Sequence, residues 1–273
     1  MSTGILLVGL PNIYPKEVMQ TIKELDLHDY KIYGVFWETH KNLKQNLTEL
    51  KIFEEIHLVT PFLDNSFLPD NFWKYKETIP QRVLSMFLLR ERSLHFLDFD
   101  KHDNWIVTRP DLGFSIKPTF NNELLKKDHI YIPEEGNFRN GVTDTFAYGS
   151  KSSIKIYLSI LYRIREILEE KESFYINTKD RIEFLKTFKY LISTKILKGS
   201  CKIPLHPETI IKRDLIKNGL KVKAFKTGGI KLYRKDLQIS LLKKQPFSSS
   251  NVLNIQKMIN RKDGLDWSIN KHF

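Results

Sequence analysis

Three short hydrophobic blocks occur in the first sixty residues, with a more polar segment after each of the first two. Gly4–Leu10 is almost wholly apolar, Tyr30–Trp37 (YKIYGVFW) is nearly continuous in apolar and aromatic side chains, and Glu54–Thr60 (EEIHLVT) is the third block. Such runs are typical of strands covered on both faces. Pro15–Leu25 predicts a helix with proline in its first turn. This alternation of strands and helices indicates a parallel α/β sheet.

Helical patterns follow in the rest of the chain. Apolar residues recur at three- and four-residue spacings from about Tyr75 to Phe96 and from Ser152 to about Glu170. Asp180–Ser193 predicts another helix, and His206–Gly219 predicts one with proline in its first turn and a terminal glycine. The remaining apolar segments predict short strands, at residues 105–108, 129–133, 220–225 and 229–233.

Composition limits the class of protein. The chain has 273 residues, of which 41% are hydrophobic and 12% aromatic, as expected for a globular protein with a substantial core. Its single cysteine, Cys201, excludes an internal disulfide and a cysteine-based metal cluster, and it suits a reducing compartment. The apolar start is too short to span a membrane and lacks the basic flank of a signal peptide. We therefore expect a cytoplasmic protein, either free or peripheral to a membrane.

The positive charge is concentrated in the last quarter of the chain. Residues 201–273 hold 16 Lys/Arg and 5 Asp/Glu, whereas the first 200 residues hold 28 and 27. Three partners would explain the excess: a nucleic acid, an anionic membrane surface, or a phosphorylated small substrate. A solvated lysine-rich surface explains it equally well.

Common catalytic motifs are missing from the sequence. It has no Walker loop, no glycine-rich dinucleotide motif, no zinc-protease motif and no serine-hydrolase motif. Three polar motifs remain, each beside an apolar segment: Arg109-Pro-Asp111, Asp144–Gly149 (DTFAYG) and His206-Pro-Glu208. Ligands of open α/β sheets bind beyond the carboxyl ends of the strands, and Arg109-Pro-Asp111 follows such an end.

The first motif combines two kinds of ligand chemistry. A carboxylate at Asp111 suits a divalent cation or ribose hydroxyls, and the planar guanidinium of Arg109 suits a phosphate. The alternative is a local ion pair between Arg109 and Asp111 that closes a turn.

The other two motifs also have structural alternatives. Asp144 follows a glycine-bearing loop that would hold its carboxylate at a cleft, or it caps the next helix, a role for which Ser150 or Ser152 is better placed. His206 is a candidate metal ligand or phosphate donor, or a capping residue at the surface. Glu208 is explained by the helix dipole alone.

Taken in order, the three motifs resemble those of GT-A-type nucleotide-sugar glycosyltransferases, in particular bacterial and large-virus enzymes of surface polysaccharide synthesis. The resemblance rests on Thr108–Phe114 (TRPDLGF), Asp144–Ser150 (DTFAYGS) and His206-Pro-Glu208, with Gln81–Met86 like a helix behind the donor site and Val35–Thr39 like the end of a nucleotide-side strand. It covers roughly residues 4–220.

The resemblance implies a GT-A-like, Rossmann-like α/β fold, with a mostly parallel central sheet flanked by helices. It also implies a single domain over 1–273, in which residues 1–115 bind the nucleotide sugar and residues 116–220 form the acceptor side. Residues 221–273 then form a basic C-terminal extension.

On the donor side, Asp111 corresponds to the last aspartate of the Asp-x-Asp signature, which contacts the cation bridging the donor diphosphate. Arg109 stands where the first aspartate would be, so an arginine would neutralise the diphosphate in place of, or together with, Mn²⁺ or Mg²⁺. His206 corresponds to a late histidine that returns to the cation. In the basic segment, flexible around Thr227–Gly229, three further cations would close over the diphosphate: Lys223, Lys226 and Arg234.

On the acceptor side, the resemblance makes Asp144 the base that removes the proton of the attacking hydroxyl in inverting enzymes. Tyr148 and Glu208 would bind the acceptor. The expected activity is transfer of a sugar from a nucleotide-diphosphate sugar to a glycan or lipid-linked hydroxyl. Two alternatives stay open: a basic nucleic-acid-binding protein or nuclease, and a catalytically inactive scaffold of the same fold.

Overall fold

A computed structural model describes residues 2–9, 15–39, 41–60, 65–72, 74, 78–116, 125–135, 142–173, 200–233 and 239–242. The strands are β1 Thr3–Gly9, β2 Lys31–Trp37, β3 Phe53–Val59, β4 Asn104–Thr108, β5 Leu112–Phe114, β6 His129–Pro133, β7 Phe146–Ser150, β8 Lys171–Ser173, β9 Ser200–Lys202, β10 Lys221–Phe225, β11 Ile230–Tyr233 and β12 Ile239–Leu242. The helices are α1 Pro15–Leu25, α2 Leu43–Thr48, α3 Pro80–Phe96, α4 Lys151–Leu158, α5 Ile164–Glu169 and α6 Pro207–Lys217.

The central sheet has seven strands in the order β10-β6-β7-β4-β1-β2-β3. Strands β3, β2, β1 and β4 are parallel, and β10 is parallel to β6. Only β7 runs the other way within this sheet, because it pairs antiparallel with both β4 and β6. The predicted α/β architecture with a mostly parallel sheet is therefore confirmed.

Two hydrophobic layers cover the sheet, which explains why the first strands are apolar on both faces. Leu6 and Val8 of β1 face the layer formed by α3, α4, α5 and α6. Ile5 and Leu7 face the opposite layer, which contains α1, α2 and a small second sheet. No helix in the described ranges is both long and apolar enough to cross a membrane.

The helical predictions that fall on described residues are confirmed with changed boundaries. Helix α3 begins at Pro80, whose ring suits the first helical position. The helix predicted over residues 152–170 is divided into α4, a 3₁₀ segment at Ser159–Arg163, and α5. Arg163 at the end of this segment donates to both carboxylate oxygens of Asp214 on α6, at 2.6 and 2.7 Å. The helix predicted at Asp180–Ser193 lies outside the described residues.

The small second sheet joins the C-terminal segment to the first polar motif. Strand β5, which the hydrophobic pattern does not predict, follows Asp111 directly and pairs antiparallel with β11, and β11 pairs with β12. The backbone N–H of Tyr233 donates to the carbonyl oxygen of Asp111 at 2.8 Å. Strands from the basic segment therefore complete both the central sheet and the surroundings of Asp111.

Candidate functional site

The strand order reverses between β1 and β4, and Arg109-Pro-Asp111 leaves the sheet at this point. Ligands of doubly wound sheets bind in the crevice at such a reversal. The chain fits tightly here: an added Cβ on Gly9, whose φ is +149°, would lie 3.1 Å from Cδ of Pro110. On the other side, the Thr21 hydroxyl of α1 donates to the Pro110 carbonyl at 2.8 Å. Strand β1 and helix α1 together fix the position of the motif.

Arg109 and Asp111 form a two-pronged ion pair. Nε and an Nη of Arg109 each donate to a different carboxylate oxygen of Asp111, both at 2.8 Å. The Asp111 side chain is 3% exposed and that of Arg109 is 33% exposed. Burial disfavours the charged guanidinium, but the hydrogen bonds and charge of Asp111, with the charge of Asp144, outweigh it and raise the pKa of Arg109. The local ion pair considered as an alternative from sequence is therefore present.

Asp144 reaches the same edge because β7 is antiparallel to β4. Thr108 at the end of β4 is in register with Phe146 at the start of β7, and the N–H of Arg109 donates to the Thr145 carbonyl at 3.3 Å. Asp144 is half-buried, and its charge acts on Arg109. The cap of α4 is Ser150, whose hydroxyl accepts from the Ser153 N–H at 3.3 Å. The carboxylate of Asp144 is thus not used as the cap of that helix.

Two buried side chains hold the main chain at Asp144. A guanidinium Nη of Arg90 on α3 and the hydroxyl of Tyr157 on α4 both donate to the Asp144 carbonyl, the latter at 3.4 Å. The Arg90 guanidinium carbon lies 4.8 Å from the centre of the Tyr157 ring. The motifs do not include either residue. The available signal was an arginine inside the apolar stripe of a predicted helix.

The third motif lies close to the second. The Val142 N–H, two residues before Asp144, donates to the Glu208 carbonyl at 3.0 Å. Burial raises the pKa of Tyr157 to about 12; the charge of Arg90 opposes this, and the charges of Asp144 and Glu208 add to it. The segment that carries Asp144 and the first turn of α6 are therefore hydrogen-bonded to each other.

An open cleft of about 280 Å³ lies between the first turns of α3 and α6. His206 and Glu208 line it, and Nδ1 of His206 is 3.3 Å from Oε2 of Glu208 and 3.2 Å from the Thr209 hydroxyl. Pro207 also lines it. The remaining lining residues lie just before α3 or in its first turn: Thr78, Ile79, Arg82 and Val83.

The metal ligands suggested by the sequence do not form a cluster. Within the described ranges, no group of three or more His, Cys, Asp or Glu is placed to hold a metal ion. Asp111 contacts Arg109, and His206 contacts Glu208 and Thr209. A cation at this edge would therefore depend on isolated carboxylates and on oxygen atoms of its ligand.

The predicted donor-side lysines lie on β10 and directly after it, in a segment separate from the one that carries Arg109. Lys223 lies within β10, opposite Tyr131, and the exposed Lys226 follows β10 directly. Three strand spacings separate β10 from β4. Arg234 lies outside the described residues. The structure therefore brings Arg109, Asp111 and Asp144 together, and it places Lys223 on another strand and Lys226 directly after that strand.

The loop after β10, which the sequence predicts to be flexible, is hydrogen-bonded to a distant part of the chain. Thr227 is fully buried. Its hydroxyl donates to Oε2 of Glu135 at 2.6 Å, and its N–H points to the same carboxylate at 3.1 and 3.3 Å. A glycine pair predicts flexibility only where no distant side chain binds the loop, and here Glu135 does.

Tyr148 lies in the middle of β7 and is buried. It pairs with Ile106 of β4, and its ring centre is 6.1 Å from that of Tyr131. Burial raises its pKa. The side chain therefore packs in the layer shared with α1 and the small second sheet.

Comparison with known proteins gives no family. No family model matches the chain, and no curated protein is significantly similar to it in sequence.

Proposed function

We propose that this chain is a glycosyltransferase that moves a sugar from a nucleotide-diphosphate sugar to a hydroxyl of a glycan or lipid-linked acceptor, as in surface polysaccharide synthesis. One observation carries the proposal: Arg109, Asp111 and Asp144, from two separate segments, meet where the strand order reverses between β1 and β4. That edge is the usual ligand site of such sheets. A mostly parallel sheet also agrees with the fold that the GT-A resemblance implies.

Arg109 is the group best suited to the donor diphosphate. Two of its N–H groups point to Asp111, and its side chain makes no further hydrogen bond with the described residues, so the remaining N–H groups suit phosphate oxygens. Because one third of its side chain is exposed, a ligand at the sheet edge can reach it. A guanidinium binds phosphate in a two-pronged geometry that a lysine cannot reproduce.

The proposed reaction forms one bond and breaks another at the anomeric carbon. The acceptor hydroxyl oxygen bonds to that carbon, and the bond from the carbon to the diphosphate oxygen breaks, so that the nucleoside diphosphate leaves with the electron pair. Asp144 takes the hydroxyl proton in the inverting form of the reaction. Arg109 stabilises the negative charge that develops on the leaving group.

A divalent cation, Mn²⁺ or Mg²⁺, would have a secondary role in this proposal. Carboxylate oxygens are suitable ligands for these ions, and Asp111 is the residue that would hold one. Such an ion would supply further charge stabilisation of the diphosphate. Since Asp111 is already paired with Arg109, we propose that the arginine carries most of this role.

Nucleotide binding tests the proposal directly. The full chain is heated with each common nucleoside diphosphate and nucleotide sugar, with and without Mn²⁺, and its unfolding temperature is recorded. A rise with one nucleoside diphosphate, followed by sugar transfer to a glycan, is expected. Stabilisation without turnover would indicate the inactive scaffold. Binding of oligonucleotides with a steep salt dependence, and no response to nucleotides, would replace the proposal with nucleic-acid binding.

A further inference from the structure

The cleft between the first turns of α3 and α6 has the composition of a small-ligand site. It measures about 280 Å³, near the lower end of ligand pockets, which suits one sugar ring. Ile79, Val83 and Pro207 give it an apolar wall, and Ile79 is 44% exposed. Arg82, His206 and Glu208 add polar groups. A pyranose ring has an apolar face of C–H groups and polar hydroxyls around its rim, and the apolar wall and polar groups of the cleft complement these two parts.

Charge at the cleft favours an anion. Glu208 contacts His206, whereas Arg82 is exposed and makes no side-chain ion pair or hydrogen bond with other described residues. Helices α3 and α6, of 17 and 11 residues, direct their N-terminal ends here, and each end carries about half a positive charge. Neither helix has a side-chain cap, because the side chains of the N-cap residues Ile79 and His206 accept no hydrogen bond from a backbone N–H of the first turn.

The cleft also adjoins the proposed base. The Glu208 carbonyl accepts from the Val142 N–H, and the charges of Glu208 and Asp144 both act on the Tyr157 hydroxyl. Arg82 and Arg90 lie on the same helix, and Arg90 holds the Asp144 main chain. A ligand in the cleft would therefore lie next to the first turn of α6, which is hydrogen-bonded to the segment that carries Asp144.

We propose that this cleft binds the acceptor and selects a sugar that carries a negative charge, either a carboxylate or a phosphate, with Arg82 as the residue that recognises the charge. This proposal rests on the proposed function, because it takes Asp144 as the base. Ile79, Val83 and Pro207 contact the apolar face of the ring, and Arg82 with the two helix ends binds the anionic substituent.

The test measures binding of single sugars to the full chain at low ionic strength by ligand-observed NMR. Glucuronic acid carries the carboxylate, glucose 6-phosphate carries the phosphate, and glucose and inorganic phosphate are the controls. At least one acidic sugar should bind about tenfold more tightly than glucose and more tightly than inorganic phosphate. Equal binding of glucose and both acidic sugars would overturn the proposal. So would inorganic phosphate binding as tightly as glucose 6-phosphate with no binding of glucuronic acid.

Two variants test whether the preference for acidic sugars arises in the cleft. Arg82→Gln should remove the preference for acidic sugars, and Arg92→Gln, at an exposed arginine nearer the other end of α3, should keep it. An unchanged preference in Arg82→Gln would overturn the role of Arg82. Nucleoside diphosphate binding is measured on the same samples. If the diphosphate binds and acidic sugars do not, the inference fails and the proposed function stands; if acidic sugars bind through Arg82 and no nucleotide binds, the proposed function fails.

Discussion

Arg109 holds both carboxylate oxygens of Asp111 at 2.8 Å across a single proline, at the edge where β1 and β4 end. The pair occupies the position at which a doubly wound sheet binds its ligand. The carboxylate is buried and the guanidinium is partly exposed, so Arg109 is the member of the pair that a ligand at this edge could reach, with Asp111 behind it. This arrangement suits the binding of a diphosphate by an arginine whose position is fixed from behind.

Arg109→Lys tests whether the fork of the guanidinium matters. A lysine keeps the charge but loses the two-pronged geometry toward both Asp111 and a phosphate, so nucleoside diphosphate affinity should fall about tenfold. Isothermal titration calorimetry measures it, with and without chelator. Unchanged affinity in the variant, together with complete loss of binding in chelator, would show that a metal ion rather than Arg109 binds the diphosphate.

Gly9→Ala tests the close approach between β1 and Pro110. The new methyl group would lie 3.1 Å from the proline ring at a φ of +149°, so both the packing and the backbone are disturbed. We expect a loss of about 1–3 kcal/mol in the free energy of unfolding, measured with urea, and weaker nucleotide binding. Gly219→Ala is the control, since its φ is +74° and nothing lies within 4 Å of the added Cβ. That control should lose stability and keep nucleotide binding.

Thr227→Val tests the contact that holds the loop after β10. The substitution keeps the shape but removes the hydroxyl that donates to buried Glu135, which should cost about 1–2 kcal/mol of unfolding free energy. The Ile116 N–H, which donates to the Thr227 carbonyl at 2.7 Å, should then exchange faster with solvent. Thr48→Val, at an exposed helical threonine, should leave that exchange unchanged. Equal exchange in both variants would contradict the assigned role of Thr227.

The sheet was predictable where the sequence pattern is local and continuous. The runs that became β1 and β2 are apolar on both faces, so a buried parallel strand was the direct prediction. Strand β5 was not predictable, because its three residues include a glycine and it forms only against β11, from a distant part of the chain. Propensity cannot indicate such a pairing.

In the site, too, features set by a local sequence pattern were predictable, and features set by contacts between distant residues were not. Arg109, Asp111 and Asp144 follow or precede apolar strands, so their placement at the sheet edge could be expected from the sequence. Arg90 could be noticed as an arginine in an apolar stripe, but its partner could not be predicted, because the hydrogen bond goes to a carbonyl 54 residues away. The rigidity of the loop at Thr227 likewise depends on Glu135, 92 residues earlier in the chain.

Lys212 gives a prediction about pH. It is 6% exposed on α6, and burial lowers its pKa from 10.5 to about 8. Below pH 8 the Lys212 amine is protonated in both the folded and the unfolded state, and the buried positive charge destabilises the folded state. Between about pH 8 and 10 the unfolded state binds more protons, so stability should rise with pH, by about 2–3 kcal/mol. Urea unfolding at pH 7, 8, 9 and 10 measures this rise, and Lys212→Met should abolish it. A rise of the same size in the variant would contradict the assignment.

Asp144→Asn separates the chemistry of the carboxylate from the structure around it. Arg90 and Tyr157 bind the main-chain carbonyl of residue 144, so an asparagine leaves both hydrogen bonds in place. The amide cannot accept the proton of the acceptor hydroxyl, and kcat should fall at least about 100-fold while nucleotide affinity and unfolding free energy stay near those of the unaltered chain. Asp128→Asn is the matched control, because this exposed carboxylate precedes β6 at the opposite edge of the sheet and should leave kcat unchanged. Full activity of Asp144→Asn would assign the base to another residue, and equal losses in both variants would point to a general effect of charge.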